Sequence, residues 1–169
     1  MYTSAIPLPL ARAGALALLA ALAGCANPDS AKPGTPLSEM EKQYGAPSSQ
    51  CPAPGGGQRV VWSHQPEGSY AWAADIDANG RVVRVAQVLR TDFFSSVQPG
   101  WTPEQVRCVF GPPAKVRTAG LGEMNEVVWT YRYVEAQHWH MNFYVYMGAQ
   151  GNAVTHSHSG PDDRYQRSE

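Results

Sequence analysis

The feature that most constrains the fold of this chain is an internal repeat with a spacing of 66 or 67 residues. Tyr44-Gly45-Ala46-Pro47 returns as Phe110-Gly111-Pro112-Pro113, and Val60-Val61-Trp62-Ser63 returns as Val127-Val128-Trp129-Thr130. A third match links Gly80-Arg81-Val82-Val83 to Gly151-Asn152-Ala153-Val154. Because the three matches keep one order, the sequence predicts two tandem units, each with a short helix, a loop and three strands.

The helix of the second unit is the better defined of the two. Thr102 can cap its N-terminus, Pro103 suits the first helical position, and Gln105 completes a capping-box pattern. Gly111 and the two following prolines end it. Its apolar face is formed by Val106, Val109 and Phe110, and the corresponding positions of the first helix are Met40, Gln43 and Tyr44.

The strands are indicated by alternation with a period of two. Residues 138–147 place Trp139, Met141, Phe143, Val145 and Met147 on one face, which we expect to be buried. Tyr70, Trp72, Ala74 and Ile76 match that apolar set in the first unit. We therefore expect an α+β fold, in which six strands pair into one antiparallel sheet, two helices cover its apolar side and the more polar side stays open.

The N-terminal residues have a different character. An apolar stretch from Ala13 ends at Leu22-Ala23-Gly24-Cys25, which resembles the lipobox of bacterial lipoproteins. The stretch is too short to span a bilayer as a helix. The resemblance implies a signal peptide at 1–24 and a lipid on Cys25. A proline-rich segment follows, so we divide the chain into a lipidated tether at 25–36, the first unit at 37–90, a linker and the second unit at 91–158, and a polar tail at 159–169.

The lipobox also carries an expectation about location. In lipoproteins an aspartate after the acylated cysteine is the pattern for inner-membrane retention, and this chain has Ala26 there. The resemblance therefore implies an outer-membrane lipoprotein on the periplasmic face, attached through its lipid.

A second resemblance covers the repeat units, most clearly from Gln87 to Val154. Residues 99–107, Phe110-Gly111-Pro112-Pro113 and Val128-Trp129-Thr130-Tyr131 resemble small outer-membrane lipoproteins of the BamE, or SmpA/OmlA, type. The tandem arrangement is similar to beta-lactamase inhibitor protein. Proteins of the BamE type have one such unit, whereas this chain has two. The resemblance implies a role in envelope assembly or integrity, with the sheet as the binding surface.

The charge balance argues against a nucleic-acid partner. Residues 25–169 carry 12 basic and 14 acidic side chains, a net charge of −2, and the basic residues form no cluster. We find no catalytic signature, and we predict a non-enzymatic protein. Asp75-Ile76-Asp77-Ala78-Asn79-Gly80 imitates the start of a calcium loop, but Ala86 occupies the twelfth position, where a glutamate is needed. A hairpin turn explains this motif.

Two pairs of histidines suggest an alternative function. Alternation places the members of each His-x-His pair on a single strand face, and four converging imidazoles could bind Zn²⁺ or Cu²⁺. The candidate ligands are His138, His140, His156 and His158. The alternative hypothesis is therefore a periplasmic metal-binding protein, and the competing interpretation is that these are polar side chains on an open sheet.

Two cysteines remain after Cys25. Cys51 and Cys108 form an even pair, which in an oxidising compartment could be either a disulfide or two separate thiols. Cys108 lies off the apolar face of its helix and could reach the loop that contains Cys51.

The leading hypothesis is a binding module that acts through its open sheet face. The polar side of the 138–147 strand combines aromatic, histidine and amide side chains, an amphipathic composition typical of protein-binding surfaces. The resemblance to beta-lactamase inhibitor protein implies an inhibitor-like way of binding. The residues expected to contact an envelope protein partner are His138, His140, Asn142, Tyr144 and Tyr146.

Overall fold

A computed structural model describes residues 27–122 and 125–165. The predicted signal peptide at 1–24 and the predicted lipidation of Cys25 lie outside the described residues. Three α-helices are present in this part of the chain: α1 (Leu37–Tyr44), α2 (Thr91–Phe94) and α3 (Pro103–Phe110). The eight strands are β1 (Ser49–Pro52), β2 (Gln58–Ser63), β3 (Ala71–Ile76), β4 (Val82–Gln87), β5 (Lys115–Ala119), β6 (Glu126–Glu135), β7 (Trp139–Tyr146) and β8 (His156–Pro161).

The fold is α+β, but the strands form two antiparallel sheets rather than the expected single sheet. The first sheet has the order β1-β2-β3-β4 and the second β5-β6-β7-β8. Each unit contributes four strands, whereas the sequence predicted three strands per unit. The additional strands, β1 and β5, are short edge strands with mostly exposed or half-buried side chains, and they lack the apolar alternation by which a strand is recognised.

The two sheets do not share one layer because helix α3 lies between them. Its buried residues Val106 and Phe110 belong to a core cluster that includes Val61 of β2 and Phe143 of β7. Helix α1 packs on the other face of the first sheet, where Met40 contacts a separate cluster. The layer order is therefore α1, first sheet, α3, second sheet. Both faces of the first sheet are covered, which contradicts the expected open polar side for that unit.

The predicted second helix is present from Pro103 to Phe110. The side chain of Thr102 accepts from the amide of Gln105, and the side chain of Gln105 accepts from the amide of Thr102 in return. Gly111 follows with φ of 76°, as Gly45 follows α1 with φ of 79°. Both repeated glycines thus end their helices with a backbone conformation that favours glycine.

The sequence repeat is visible in the packing of the two units. Met40 of α1 and Val106 of α3 are 66 residues apart, and each is fully buried between its helix and the following sheet. Trp62 donates to the carbonyl of Gly45 at 2.8 Å, whereas Tyr131 donates to the carbonyl of Gly111 at 3.0 Å. In each unit a buried aromatic side chain thus satisfies the carbonyl at the end of its helix.

The units are joined by covalent and polar contacts. Cys51 of β1 and Cys108 of α3 form a disulfide with Cα atoms 5.7 Å apart. In the loop between β2 and β3, the side chain of Gln65 donates to the carbonyl of Arg132 at 2.7 Å and accepts from its amide at 3.3 Å. Because β5 pairs with β6 only as far as Thr130, this side chain satisfies backbone groups that would otherwise lack a strand partner.

The expected boundaries change at both ends. The segment predicted as a tether is folded from Asn27: Pro28 is buried, the amide of Gly34 donates to Val82, and Pro36 forms a bridge with Arg81. These contacts provide hydrogen-bond partners for backbone groups at the edge of β4.

At the other end, the second unit does not end at residue 158, because β8 continues through Pro161. Asp162 is buried beyond it and Tyr165 stacks on His140. The segment predicted as a polar tail is therefore folded as far as it is described.

Candidate functional site

The candidate site is the face of the second sheet that points away from α3, named here the open face. Strand register aligns its side chains in rows that cross the sheet. The first row is Arg117, Val128, Tyr146 and His156, and the second is Lys115, Thr130, Tyr144 and His158. Both rows run from a basic residue on β5, through a small residue on β6 and a tyrosine on β7, to a histidine on β8.

Tyrosines and histidines form a continuous aromatic surface along β7 and β8. Tyr146 stacks on His156 with ring centres 4.0 Å apart and planes 16° apart, and Tyr144 lies 5.1 Å from His158. Both tyrosines are half-buried and both histidines are exposed. Rings held in place by their neighbours lose little further conformational freedom on binding, which makes such a surface suited to contacting another protein.

The open face includes a cleft of about 500 Å³. Thr130 and Asn142 form part of its lining on the sheet, and Lys115, Arg117 and Tyr144 line it from both sides. The amide of Asn142 donates to the Tyr144 hydroxyl at 3.2 Å. That contact gives the hydroxyl a donor and leaves its own proton available to a ligand in the cleft.

A buried arginine closes one end of the cleft. Arg132, only 8% exposed, donates through its guanidinium to Asp162 at 3.3 Å and to the backbone carbonyls of Pro66 and Glu67. Arg164 also donates to Asp162, at 2.9 Å. Arg132 thus has a structural role, because it fixes the β2–β3 loop and the end of β8 against the sheet.

The repeat shows what the equivalent face of the first sheet does. Val61 corresponds to Val128, and their cross-strand partners are Ala73 and Tyr146. By the same register, Ala71 corresponds to Tyr144. In the first sheet the small side chains of these alanines leave room for α3 to pack on the face. In the second sheet large rings occupy these positions, and no helix of residues 27–122 or 125–165 packs there.

The structure places four of the five predicted partner-binding residues on the open face. His140, Asn142, Tyr144 and Tyr146 alternate along β7 as expected, with His140 opposite Val134. His138 does not belong to the strand: it lies in the turn between β6 and β7, beside Trp139. Trp139 itself is 62% exposed, contrary to the expectation of burial, because the end of this hairpin extends beyond the core.

The four histidines proposed as metal ligands do not converge. His156 and His158 share the open face, but they lie opposite Tyr146 and Tyr144, whereas His140 is four or more positions further along β7 and stacks on Tyr165. At roughly 3.3 Å per residue this separates the pairs by well over 10 Å. In the described part of the chain, no group of three or more histidine, cysteine or acidic residues is arranged to hold a metal.

The motif that imitates a calcium loop forms the turn predicted from the sequence, with an adjoining ion pair. The carboxylate of Asp77 accepts from the amides of Asn79 and Arg81 at 2.9 and 2.8 Å, as in an Asx turn. Asp75 accepts from Arg59 at 2.7 Å and from Arg84 at 2.5 Å. Burial raises the pKa of Asp75, but the hydrogen bonds and charges of the two arginines outweigh it and hold the pKa below its ordinary value.

Sequence reasoning missed the basic side of the open face. Lys115 and Arg117 lie in β5, a strand without an apolar pattern, so that their shared side could not be recognised. Their i, i+2 spacing was the available signal, because such residues lie on one face of any strand.

No helix of the described residues is long and apolar enough to cross a membrane. Comparison with protein-family models, curated proteins and solved structures gave no match.

Proposed function

We propose that this protein is a non-enzymatic binding module that holds another envelope protein on its open face. The observation that carries the proposal is the contrast between the two sheets. The face of the first sheet that corresponds to the open face is occupied by α3, and its counterpart carries Tyr144, Tyr146, His156 and His158 without a covering helix among the described residues.

The composition of the open face favours a protein partner. Aromatic side chains and arginine are enriched where proteins bind one another, because they combine a large contact area with polar groups. Here two tyrosines and two histidines are flanked by Lys115 and Arg117. The expected partner therefore inserts side chains between the basic edge and the tyrosines, with main contacts to the rings.

The lipobox-like sequence gives this module a location. We propose that Cys25 carries the lipid and that the protein acts at the periplasmic face of the outer membrane, in envelope assembly or integrity. Asn27, two residues after Cys25, is already part of the fold, so that the module would stay close to the membrane. A Cys25→Ala chain exported by a conventional signal should leave the membrane fraction and lose the function.

The test is capture of partners by the full tagged chain in its native cells, with chemical cross-linking before extraction. Replacing both Tyr144 and Tyr146 by alanine should reduce the captured partner at least about tenfold, because buried aromatic contacts dominate such interfaces. The matched control is Tyr70→Ala, which removes a 43% exposed tyrosine from the first unit.

Circular dichroism and the unfolding midpoint verify that both variants fold. Equal capture by the double variant, the control and the original chain would contradict the proposal. A partner lost only with Tyr70→Ala would place the binding site in the first unit instead.

A further inference from the structure

The cleft on the open face has donors that no acceptor in the described chain satisfies. Lys115 and Arg117 form no ion pair with another described residue. The Thr130 hydroxyl has no hydrogen-bond partner there, and the Tyr144 hydroxyl receives a bond from Asn142 without a recorded acceptor for its own proton. Four donor groups from three neighbouring strands thus line one cleft.

One carboxylate of the cleft, that of Asp162, is already held by arginines. Asp162 is occupied by Arg132 and Arg164, and Glu67 belongs to the loop whose carbonyls bind Arg132. Because Arg132 is two positions along β6 from Thr130, this acidic part lies at one end. The opposite end, with Lys115 and Arg117, keeps its positive charge.

We propose that this end of the cleft binds an acidic segment of the partner protein, with two carboxylates facing Lys115 and Arg117. The inference rests on the proposed function and specifies the chemistry of the partner. Lys115 and Arg117 are two positions apart on one strand, which separates their Cα atoms by roughly 7 Å. An extended partner segment of the form Glu-x-Glu presents two carboxylates at the same spacing, on one side.

The hydroxyl groups make the site selective for acceptors. Thr130 lies directly opposite Lys115, and Tyr144 lies directly opposite Thr130. A carboxylate placed over Thr130 can therefore accept from an ammonium and two hydroxyls, whereas a neutral amide of the same shape would gain weaker bonds. A lysine side chain in that place would be repelled by both basic residues.

Fluorescence anisotropy with labelled peptides tests this inference directly. The full folded chain is titrated with Gly-Ser-Glu-Thr-Glu-Ser-Gly and with the same peptide carrying glutamine instead of both glutamates. We expect the glutamate peptide to bind at least about tenfold more tightly at low salt, and the difference to shrink in 0.5 M NaCl because ions screen exposed charges.

Variants separate charge from shape. Lys115→Glu with Arg117→Glu should abolish the preference for glutamate, whereas Lys115→Arg with Arg117→Lys should retain it. The matched control is Lys42→Glu, on the exposed side of α1, which should leave the binding of both peptides unchanged. Equal binding of the two peptides, or an equal loss with Lys42→Glu, would overturn the inference.

The partner-capture experiment distinguishes failure of this inference from failure of the proposed function. Capture that depends on Tyr144 and Tyr146 but is unaffected by reversal of Lys115 and Arg117 would overturn the acidic segment and leave the binding face intact. Capture that depends on neither pair would overturn both. Loss of capture on charge reversal, with capture retained in the Lys115→Arg and Arg117→Lys variant, would support the acidic segment.

Discussion

At the scale of single residues, the two glycines that end α1 and α3 show how a repeated sequence meets different surroundings. Gly45 and Gly111 have nearly the same backbone, with φ of 79° and 76° and ψ of −178° and −164°. Only glycine adopts this region without strain. A Cβ on Gly45 would meet nothing within 4 Å, but on Gly111 it would lie 3.1 Å from Val61 and 3.3 Å from Ser63.

Alanine at these two positions should therefore have unequal effects on stability. Gly45→Ala should lower the free energy of unfolding by about 1–3 kcal/mol through backbone strain. Gly111→Ala should lower it by about 1 kcal/mol or more beyond that, because the methyl group presses α3 away from the first sheet. Urea unfolding measures both. A larger loss with Gly45→Ala would contradict the position of Gly111 against β2.

The ion pairs of Asp75 predict a dependence of stability on pH. Because its pKa is lower in the folded protein than in the unfolded chain, Asp75 stabilises the fold above the unfolded pKa of about 4, and this contribution disappears as the pH falls through the folded pKa. Asp75→Asn should thus be less stable than the original chain at pH 7, and the two should converge on acidification. Denaturant unfolding at a series of pH values checks this. A difference that grows at low pH would contradict it.

At the scale of elements, the sequence predicted what local patterns determine. The helix at 103–110 was recognised because its caps and apolar face are local properties. Strands β1 and β5 were missed, because backbone pairing with a neighbour, rather than an apolar face of their own, holds them. His138 was misplaced for a related reason: the alternation continues past the strand into a turn, where Ala136 and Gln137 have positive φ values.

The disulfide is the element-level contact whose contribution is easiest to measure. Cys51 and Cys108 are 57 residues apart and attach α3 to β1. Cys51→Ser with Cys108→Ser should lower the free energy of unfolding by about 2–5 kcal/mol, since the unfolded chain gains freedom. Guanidinium unfolding with and without a reductant provides the measurement. A reductant that destabilises the double variant as much as the original chain would show that the effect does not arise from this bond.

At the scale of the whole molecule, the unforeseen feature is the stacking of the two units. The repeat predicted two similar units, but their order in space depends on which surface accepts α3, and that is a tertiary property. Ala71 and Ala73 make one face of the first sheet flat enough for a helix, whereas Tyr144 and Tyr146 fill the corresponding positions of the second. The polar side predicted from β7 is thus the sheet face that no helix covers in the described part of the chain.

The most direct test of this account is site-specific photo-cross-linking in living cells. A photoreactive amino acid in place of His158 lies on the open face. One in place of Glu41 lies on the exposed side of α1, at the other side of the stack. We predict that irradiation joins a distinct protein to the chain from position 158 and not from position 41. The same product from both positions, or a product from position 41 alone, would contradict the open face as the binding surface.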